Sequence, residues 1–462
     1  MSKLKAHRKT IFSGYVASGL FSSKQFHKVG ARFSILLALL CGCDKGSMAG
    51  LADFQKPACA SELGCMGEEE LLVTHAPLSF DTHGGMQTVS IHLLGDWQIE
   101  PVSYAWMTAA RTDASTLTVT VDTNYSGVAR EGEIILQELA GNKKGAVPIA
   151  QAFDNALFLG ATTEMGRRLV YNSDGLVSAV TADKQYALHE RVLVLEISYN
   201  GDVNGENQPV SLFLADVTLE GGTTLRMTTA HDEDSSIKRT DAETTDIQTV
   251  REQLAAMQNK RSSQLDVLAG VNADFFEIGK SNLLRGVMYR EGLCLKDTFV
   301  DTSRRVFALT KDGKAHILQQ PQYNAMDKSH LWEAVSGFAL LLSDGKMVAG
   351  HSKDIPPRTA VGVSREGNRV FLLVVDGALV NNKDKEEHSV GATYFMLAKM
   401  LLAMGAHEAL NLDGGGSSTF AVKKSTDMPS TADSFETRNR PSGGAERAVA
   451  NGIAIVQLKN EE

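Results

Sequence analysis

The sequence lacks the features that mark several large protein classes. It has no apolar run of the roughly 18 residues that a membrane-spanning helix needs. The formal net charge of -9 argues against nucleic acid as the main ligand, because phosphate backbones demand clustered Lys and Arg. No His or Cys cluster supports a transition-metal site. Hydrophobic residues nevertheless make up 43% of the 462 residues, so two or three folded domains are expected.

One short apolar run has the features of an export signal. The run FSILLALL at 33–40 follows a basic segment and leads into LCGC, which ends at Cys43. A basic region, a short apolar region and then small residues is the order of a secretory signal. The last four residues resemble a bacterial lipobox, which implies lipidation at Cys43, whereas the alternative is a buried helix. We therefore predict that 1–43 exports a lipoprotein to the cell envelope or cell surface, and that only its lipid anchor contacts the membrane.

A linker and a small β domain are predicted to follow. Residues 44–70 are polar and Gly-rich, as in a tether, and two cysteines within them are close enough to form a disulfide loop. From 71 to 145, short alternating stretches such as LTVTV predict an all-β Ig-like sandwich. The text around Trp97, Trp106 and REGEI resembles a BACON-type domain, which implies glycan binding or a spacer role. Either tryptophan is more often a core residue than a sugar platform in a small sandwich.

Residues 146–460 are predicted to form one large α+β domain with a mixed sheet. Within it, VFLLVV is typical of a strand buried on both faces and ends at Asp376. The next apolar stripe has helical spacing, and the short strand ALNL then leads to Asp413. Strand, helix and strand predict a parallel βαβ unit, because parallel strands need such a crossover. The two carboxylates would then leave the sheet at the same edge, where open α/β sheets bind ligands.

The segment after the second strand indicates which kind of ligand the site binds. Gly414, Gly415 and Gly416 permit positive φ and close approach of the backbone. Successive backbone N–H groups in such a turn form a nest that binds anionic oxygens. Ser417 and Ser418 add hydroxyl donors without bulk. A carboxylate, three glycines and two serines between two strands favour a functional anion site over an ordinary tight turn.

Four motifs together resemble the phosphodiester glycosidase family. They are NLDGGGSS, GVNADFF, RTAVG and ERAVAN, and they lie within about 270 to 456. The resemblance implies a hydrolase that cleaves the sugar C1–O bond of a sugar 1-phosphodiester or related glycan. Its substrate would be a carbohydrate or a sugar phosphate.

The resemblance also implies roles for the shared residues. A phosphate leaving group departs as an anion, so its charge must be held by backbone N–H groups and arginines. A carboxylate must act at the sugar, as nucleophile or as base for water. The catalytic candidates, in order of preference, are Asp413, Asp376 and Glu446. The substrate-binding candidates are Asn272, Asp274, Arg358, Thr359, Gly414, Gly415, Gly416, Ser417, Ser418 and Arg447.

Structural alternatives exist for several of these residues. Asn272 and Asp274 are also typical of a turn cap after a buried strand, and Arg358 of a structural ion pair. Asp376 before a glycine is an ordinary turn pair, and Glu446 beside an arginine is an ordinary local salt bridge.

Other chemistries remain open beside the expected cofactor-free site. Ca²⁺ or Mg²⁺ bridging Asp376 and Asp413 is one alternative, because hard cations prefer carboxylate oxygens. Two other functions are a non-catalytic, glycan-binding surface lipoprotein and a phosphodiesterase that cleaves the P–O bond.

Overall fold

The structure is a computed structural model that describes residues 77–91, 95–140, 143–348, 350, 353–378 and 388–459. The predicted export signal at 1–43, with its lipidation site Cys43, and the predicted linker at 44–70 lie outside the described residues. The predicted fold class is confirmed, because a β-sandwich precedes a larger α+β part. Within the described ranges, no helix is both long and apolar enough to cross a membrane.

The first part is a sandwich of two sheets. Its strands are β1 (Leu78–Phe80), β2 (Gly85–Ser90), β3 (Trp97–Ile99), β4 (Met107–Arg111), β5 (Thr116–Val121), β6 (Arg130–Glu138) and β7 (Lys144–Gln151). One sheet has the order β1-β7-β6-β3 and the other β2-β5-β4. The strand β7 continues past the predicted domain boundary at 145, because it pairs with β6 along its whole length and with β1 at its end.

The two sandwich tryptophans occupy different environments. Trp97 is 1% exposed, and its indole N–H donates to the Ala114 carbonyl at 2.8 Å, which makes it a core residue as predicted. Trp106 is only partly buried, and the Arg130 guanidinium lies 4.4 Å from the centre of its ring. One face of Trp106 is therefore covered by an arginine.

The larger part contains helices and three further sheets. Its helices are α1 (Glu164–Asn172), α2 (Val250–Arg261), α3 (Gln320–Ala325) and α4 (Tyr394–Met404). Its first strands are β8 (Val177–His189), β9 (Val192–Val203), β10 (Glu206–Thr218), β11 (Thr223–Thr229), β12 (Leu265–Asn272), β13 (Met288–Arg290), β14 (Leu293–Lys296), β15 (Arg305–Thr310) and β16 (Ala315–Gln319). The remaining strands are β17 (Leu331–Gly337), β18 (Leu340–Ser343), β19 (Lys346–Met347), β20 (Arg358–Val363), β21 (Arg369–Val375), β22 (Glu408–Asn411), β23 (Phe420–Lys423), β24 (Phe435–Thr437) and β25 (Asn451–Leu458).

Two of these sheets pack face to face. The eight-stranded sheet has the order β19-β18-β22-β20-β21-β10-β9-β8, and the five-stranded sheet β11-β25-β12-β23-β24 covers one of its faces. Helices α1 and α4 cover the other face. A second five-stranded sheet has the order β14-β13-β17-β15-β16. The strand β21 is buried on both faces, as predicted, because its alternate side chains belong to the two different cores.

The predicted strand–helix–strand unit is present with one strand inserted. Helix α4 begins after Thr393, whose side chain accepts a hydrogen bond from the Met396 N–H, and ends at Gly405 with φ 106°. Strands β21 and β22 run in the same direction, but β20 lies between them and is antiparallel to both. The two strands are therefore not paired directly. Their ends still meet at one edge of the sheet, together with the start of β20.

The sandwich packs directly against the larger part. The buried Arg167 of α1 donates from Nε to the Tyr125 carbonyl of the sandwich at 2.7 Å. The Tyr125 ring is also in edge contact with Phe158 and Tyr171. These aromatic contacts, together with the Arg167 hydrogen bond, therefore fix the sandwich to α1.

Candidate active site

The glycine-rich loop crosses from one sheet to another. It leaves β22 in the eight-stranded sheet and enters β23 in the five-stranded sheet. The Leu412 N–H donates to the Thr359 carbonyl at 2.8 Å, and the Asp413 N–H donates to the Ala273 carbonyl at 2.8 Å. The loop is therefore held by the start of β20 and by the segment that follows β12.

Asn272 fixes the geometry of this crossing. Its side-chain N–H donates to the Asp413 carbonyl at 2.7 Å, and its oxygen accepts from the Thr359 hydroxyl at 2.8 Å and the Thr419 N–H at 3.1 Å. Asn272, Thr359 and Ser418 are all 0% exposed. Their predicted contact with substrate is therefore not supported by exposure, and their hydrogen bonds assign them to holding the loop.

The three glycines have different reasons for being glycine. Gly415 adopts φ 61°, the left-handed region that glycine enters at little cost. A side chain at Gly416 would collide with the Arg447 guanidinium, and one at Gly414 would lie 2.7 Å from the Pro357 carbonyl oxygen. Positive φ and close approach, the two predicted reasons, therefore apply to different residues of the loop.

The loop N–H groups serve mainly to fold the loop. The Gly415 N–H donates to the Pro357 carbonyl at 2.8 Å. The Ser417 and Ser418 N–H groups donate to carbonyls within the loop, each at 3.2 Å. These three donors are therefore not available to an anion, and the predicted backbone nest is not formed by them.

Asp413 is the buried carboxylate of the loop. It is 8% exposed, and none of the described residues supplies a hydrogen bond to its Oδ2. Burial raises the pKa of Asp413 to about 6, although the Ser417 hydroxyl and the charges of Arg447 and Arg304 act in the opposite direction. The carboxylate is therefore ionised at neutral pH and keeps one oxygen free.

Asp274 is a second buried carboxylate, and it directly follows Ala273, whose carbonyl accepts from the Asp413 N–H. It follows β12 as Asp413 follows β22, each two residues beyond its strand in an Asn-x-Asp sequence. Asp274 is 2% exposed, and its Oδ2 accepts from the Gly286 N–H at 3.0 Å. Oδ1 has no hydrogen-bond partner in the part of the chain that the structure describes. Burial raises the pKa of Asp274 to about 8, against the opposing charge of Arg304.

Arg304 is a residue of this site that the sequence did not reveal. It is 5% exposed and lies within electrostatic reach of Asp274 and Asp413. Its guanidinium is 4.9 Å from the Phe275 ring centre and 5.2 Å from that of Phe338. The sequence around Arg304 does not indicate a role in the site, because strand pairing and packing against the two rings bring this residue there. The Asn-x-Asp sequence occurs at both strand ends, and this repetition could have indicated that the two carboxylates belong to one site.

Asp376 supports the loop from behind. It is 0% exposed, and the Arg440 N–H donates to its two oxygens at 3.0 and 2.9 Å. The Asn439 amide donates both to Asp376 at 3.1 Å and to the Ser418 carbonyl at 3.1 Å. His388 Nε2 lies 3.2 Å from Asp376 Oδ2, the oxygen that does not accept from Asn439. The predicted catalytic role of Asp376 therefore has no free, accessible oxygen to support it.

Arg358 and Glu446 are also engaged in structural contacts. Arg358 is 7% exposed and donates to the Ala392 carbonyl at 3.0 Å and the Asp354 carbonyl at 3.2 Å. The Glu446 side chain is 4% exposed and pairs with Arg251 Nε at 2.8 Å. The structural alternative for Glu446 was a local salt bridge, and its partner is Arg251 instead of the adjacent arginine. The alternative for Arg358 was an ion pair, whereas these contacts are hydrogen bonds to backbone carbonyls.

Arg447 lies on the open side of the loop. Its side chain is exposed, and Nη1 donates to the Ser417 hydroxyl oxygen at 3.3 Å. Its charge lowers the pKa of Asp413, against the effect of burial. Arg447 is thus the predicted phosphate-binding arginine that the structure brings beside the carboxylate.

A divalent cation bridging Asp376 and Asp413 does not fit these residues. Both oxygens of Asp376 already accept hydrogen bonds, and the Arg304 charge acts on Asp413. The described ranges contain no group of three or more His, Cys, Asp or Glu side chains that could hold a metal ion.

Two buried carboxylates in one site are the groups that glycoside hydrolases use. The family comparison agrees with that class, because residues 266–456 match the family model described as phosphodiester glycosidase. The match identifies this part of the chain as similar to the phosphodiester glycosidase family. A search of curated protein sequences gave no match.

Several solved structures are similar to the chain. One is the zebrafish N-acetylglucosamine-1-phosphodiester alpha-N-acetylglucosaminidase catalytic domain, auto-inhibited by its pro-peptide, with 18% identity, TM-score 0.41, and coverage of 60% of this chain and 88% of that one. A hypothetical protein from Synechocystis has 13% identity and TM-score 0.38, over 81% and 74% of the two chains. A putative exported protein from Burkholderia pseudomallei has 13% identity and TM-score 0.35, over 55% and 75%.

Proposed function

We propose that this protein hydrolyses the C1–O bond of a sugar 1-phosphodiester, with Asp413 as the carboxylate that acts at the sugar. The observation that carries the proposal is the free, buried Oδ2 of Asp413 on the family's glycine-rich loop. A carboxylate that is ionised at neutral pH and has an unpaired oxygen is suited to attack C1 or to deprotonate water.

The reaction yields a free sugar and a phosphate monoester. The oxygen of water forms the new bond to C1, the C1–O bond to the phosphate breaks, and its electron pair leaves with the phosphate. Asp413 either takes the proton from water directly or first forms the bond to C1 that water then hydrolyses. Asp274 is protonated at neutral pH because its pKa is about 8, and in this proposal its carboxyl group donates a hydrogen bond to the substrate.

Hydrolysis in ¹⁸O-labelled water tests the bond that breaks. Purified protein is screened on a panel of sugar 1-phosphodiesters and plain glycosides, and the label is expected in the sugar. Label in the phosphate would instead identify the P–O phosphodiesterase. An Asp413→Asn variant should lose at least about 1000-fold in kcat while remaining folded, as is typical for loss of an essential catalytic carboxylate. Glycan binding without turnover, retained by Asp413→Asn, would favour the non-catalytic alternative.

We also propose that the protein is exported and held at the cell envelope by a lipid on Cys43. The support is the order of a basic segment, a short apolar run and LCGC at 40–43. Metabolic labelling with a radioactive fatty acid should mark the full chain and leave Cys43→Ala unlabelled in the soluble fraction. Equal labelling of both proteins would contradict the proposed lipidation site.

A further inference from the structure

Arg304 is held in place by elements of two sheets. It directly precedes β15, and Phe338 directly follows β17; because Arg305 pairs with Gly337, the two side chains start from neighbouring positions. Phe275, from the segment after β12, lies 6.1 Å from Phe338 between ring centres. Both rings attract the guanidinium through their π faces. The cation is therefore positioned by the two rings and by its ion pair with Asp301.

Two nitrogens of Arg304 lack acceptors. No hydrogen-bond partner of Nε or Nη1 is found among the described residues, although the side chain is only 5% exposed. Asp301 Oδ2 stands 3.6 Å from Nε, which is too far for a hydrogen bond, and its own side chain is 44% exposed. Burying N–H donors without acceptors is unfavourable, so a ligand with acceptor oxygens would relieve that cost.

Charges of both signs lie near Arg304. Lys296 is 3% exposed and donates to Thr298, so it adds a second buried positive charge near Asp274. Asp301, whose Oδ2 is 3.6 Å from Arg304 Nε, and Asp297 near Lys296 offset part of this positive charge. A phosphodiester would supply the acceptor oxygens that Nε and Nη1 of Arg304 lack.

We propose that Arg304 receives the phosphodiester group of the substrate, and that Phe275 and Phe338 keep its guanidinium oriented for that contact. The inference rests on the proposed function, because it assigns the leaving-group side of the same site. A phosphodiester offers two unesterified oxygens, which accept charge-assisted hydrogen bonds from free N–H donors. Arg358, which the sequence favoured for this role, is already bound to backbone carbonyls.

Selective loss of activity tests this assignment. Arg304→Met keeps an apolar chain between the rings, and Arg304→Lys keeps the charge without the guanidinium. Arg365→Met is the matched control for net charge, since Arg365 is exposed in the turn between β20 and β21, away from the loop. Each variant is assayed on a sugar 1-phosphodiester and on the neutral aryl glycoside of the same sugar.

We expect Arg304→Met to lose about 100-fold in kcat/KM on the phosphodiester, and less than about threefold on the neutral glycoside. Arg304→Lys should fall between Arg304→Met and the unchanged protein, while Arg365→Met should match the unchanged protein on both substrates. Equal losses on both substrates, or no loss on either, would overturn the assignment.

A binding measurement separates this inference from the proposed function. Inorganic phosphate is titrated calorimetrically into the unchanged protein, Arg304→Met and Arg365→Met. Arg304→Met should weaken binding at least tenfold, and Arg365→Met should not. If no sugar 1-phosphodiester is hydrolysed, the proposed function fails, while weaker phosphate binding by Arg304→Met alone would still support the anion site. Phosphate binding that is equal in all three proteins, or undetectable in the unchanged protein, would contradict the anion site itself.

Discussion

Replacing Asp413 by Asn should abolish catalysis and at the same time stabilise the folded protein at neutral pH. Burial raises the pKa of this carboxyl from 3.8 to about 6, so the folded state binds its proton more tightly than the unfolded chain does. Its contribution to stability is therefore complete below about pH 4 and is lost as the pH rises to about 6. Asparagine does not ionise and escapes that loss.

The size of the gain in stability follows from the pKa shift of Asp413. A shift of roughly two pKa units corresponds to about 3 kcal/mol in the free energy of unfolding. Asparagine also weakens the contacts of Asp413 with the Ser417 hydroxyl and the Gly414 N–H, at about 0.5 to 1.5 kcal/mol for each hydrogen bond. The net stabilisation near pH 7.5 should be about 0 to 2 kcal/mol, or a rise in Tm of up to about 6 °C for a domain of this size.

Thermal unfolding of both proteins at pH 4 and pH 7.5 measures this difference. Asp274 titrates in both proteins, so its contribution largely cancels. Asp376→Asn is the control, because Asp376 accepts hydrogen bonds from Arg440 and Asn439 and should be destabilised by the change. The reasoning is refuted if Asp413→Asn is less stable than the unchanged protein at pH 7.5, or if the difference is the same at both pH values.

Two further predictions concern the glycine-rich loop and the pH profile. Gly416→Ala should lower kcat/KM at least about tenfold, because the added methyl group would displace Arg447. Gly415→Ala meets no neighbour and should mainly cost about 1 kcal/mol of stability, because position 415 has a positive φ. Similar kinetics for the two variants would contradict this prediction. Activity should rise as the pH passes about 6, where Asp413 ionises, and fall above about 8, where Asp274 loses its proton. Steady-state rates between pH 4.5 and 9.5 check both limits, and Asp274→Asn should remove the fall at high pH.

The sequence predicted the strands and the helix next to the site because their signals are local. A continuous apolar run, a helical stripe and a glycine after it identify β21 and α4 without knowledge of their neighbours. The insertion of β20 between β21 and β22 was not predictable in this way. RTAVGV has the composition of many buried strands, and its position depends on hydrogen bonds to segments that are distant in the chain.

The candidate site was likewise predicted where its signals are local in the sequence, and not where they depend on distant segments. Asp413 and its glycines were found because the chemistry and the turn lie within eight consecutive residues. Asp376 was predicted as a second catalytic carboxylate from topology, which places strand ends at one edge of the sheet. Topology does not reveal that the Arg440 backbone N–H donates to both oxygens of Asp376. Arg304 was missed because its role depends on two aromatic rings contributed by other segments.

The hydrogen bonds of Asn272 make catalytic competence a property of the finished fold. One amide joins the end of β12, the start of β20 and both ends of the loop between β22 and β23. These segments belong to two sheets and are separated by long stretches of chain, so no short fragment contains the complete geometry. A newly made or partly unfolded chain would hold all the reactive side chains and still be inert. Enzymatic activity therefore reports on correct tertiary assembly of the domain, in a way that secondary-structure content does not.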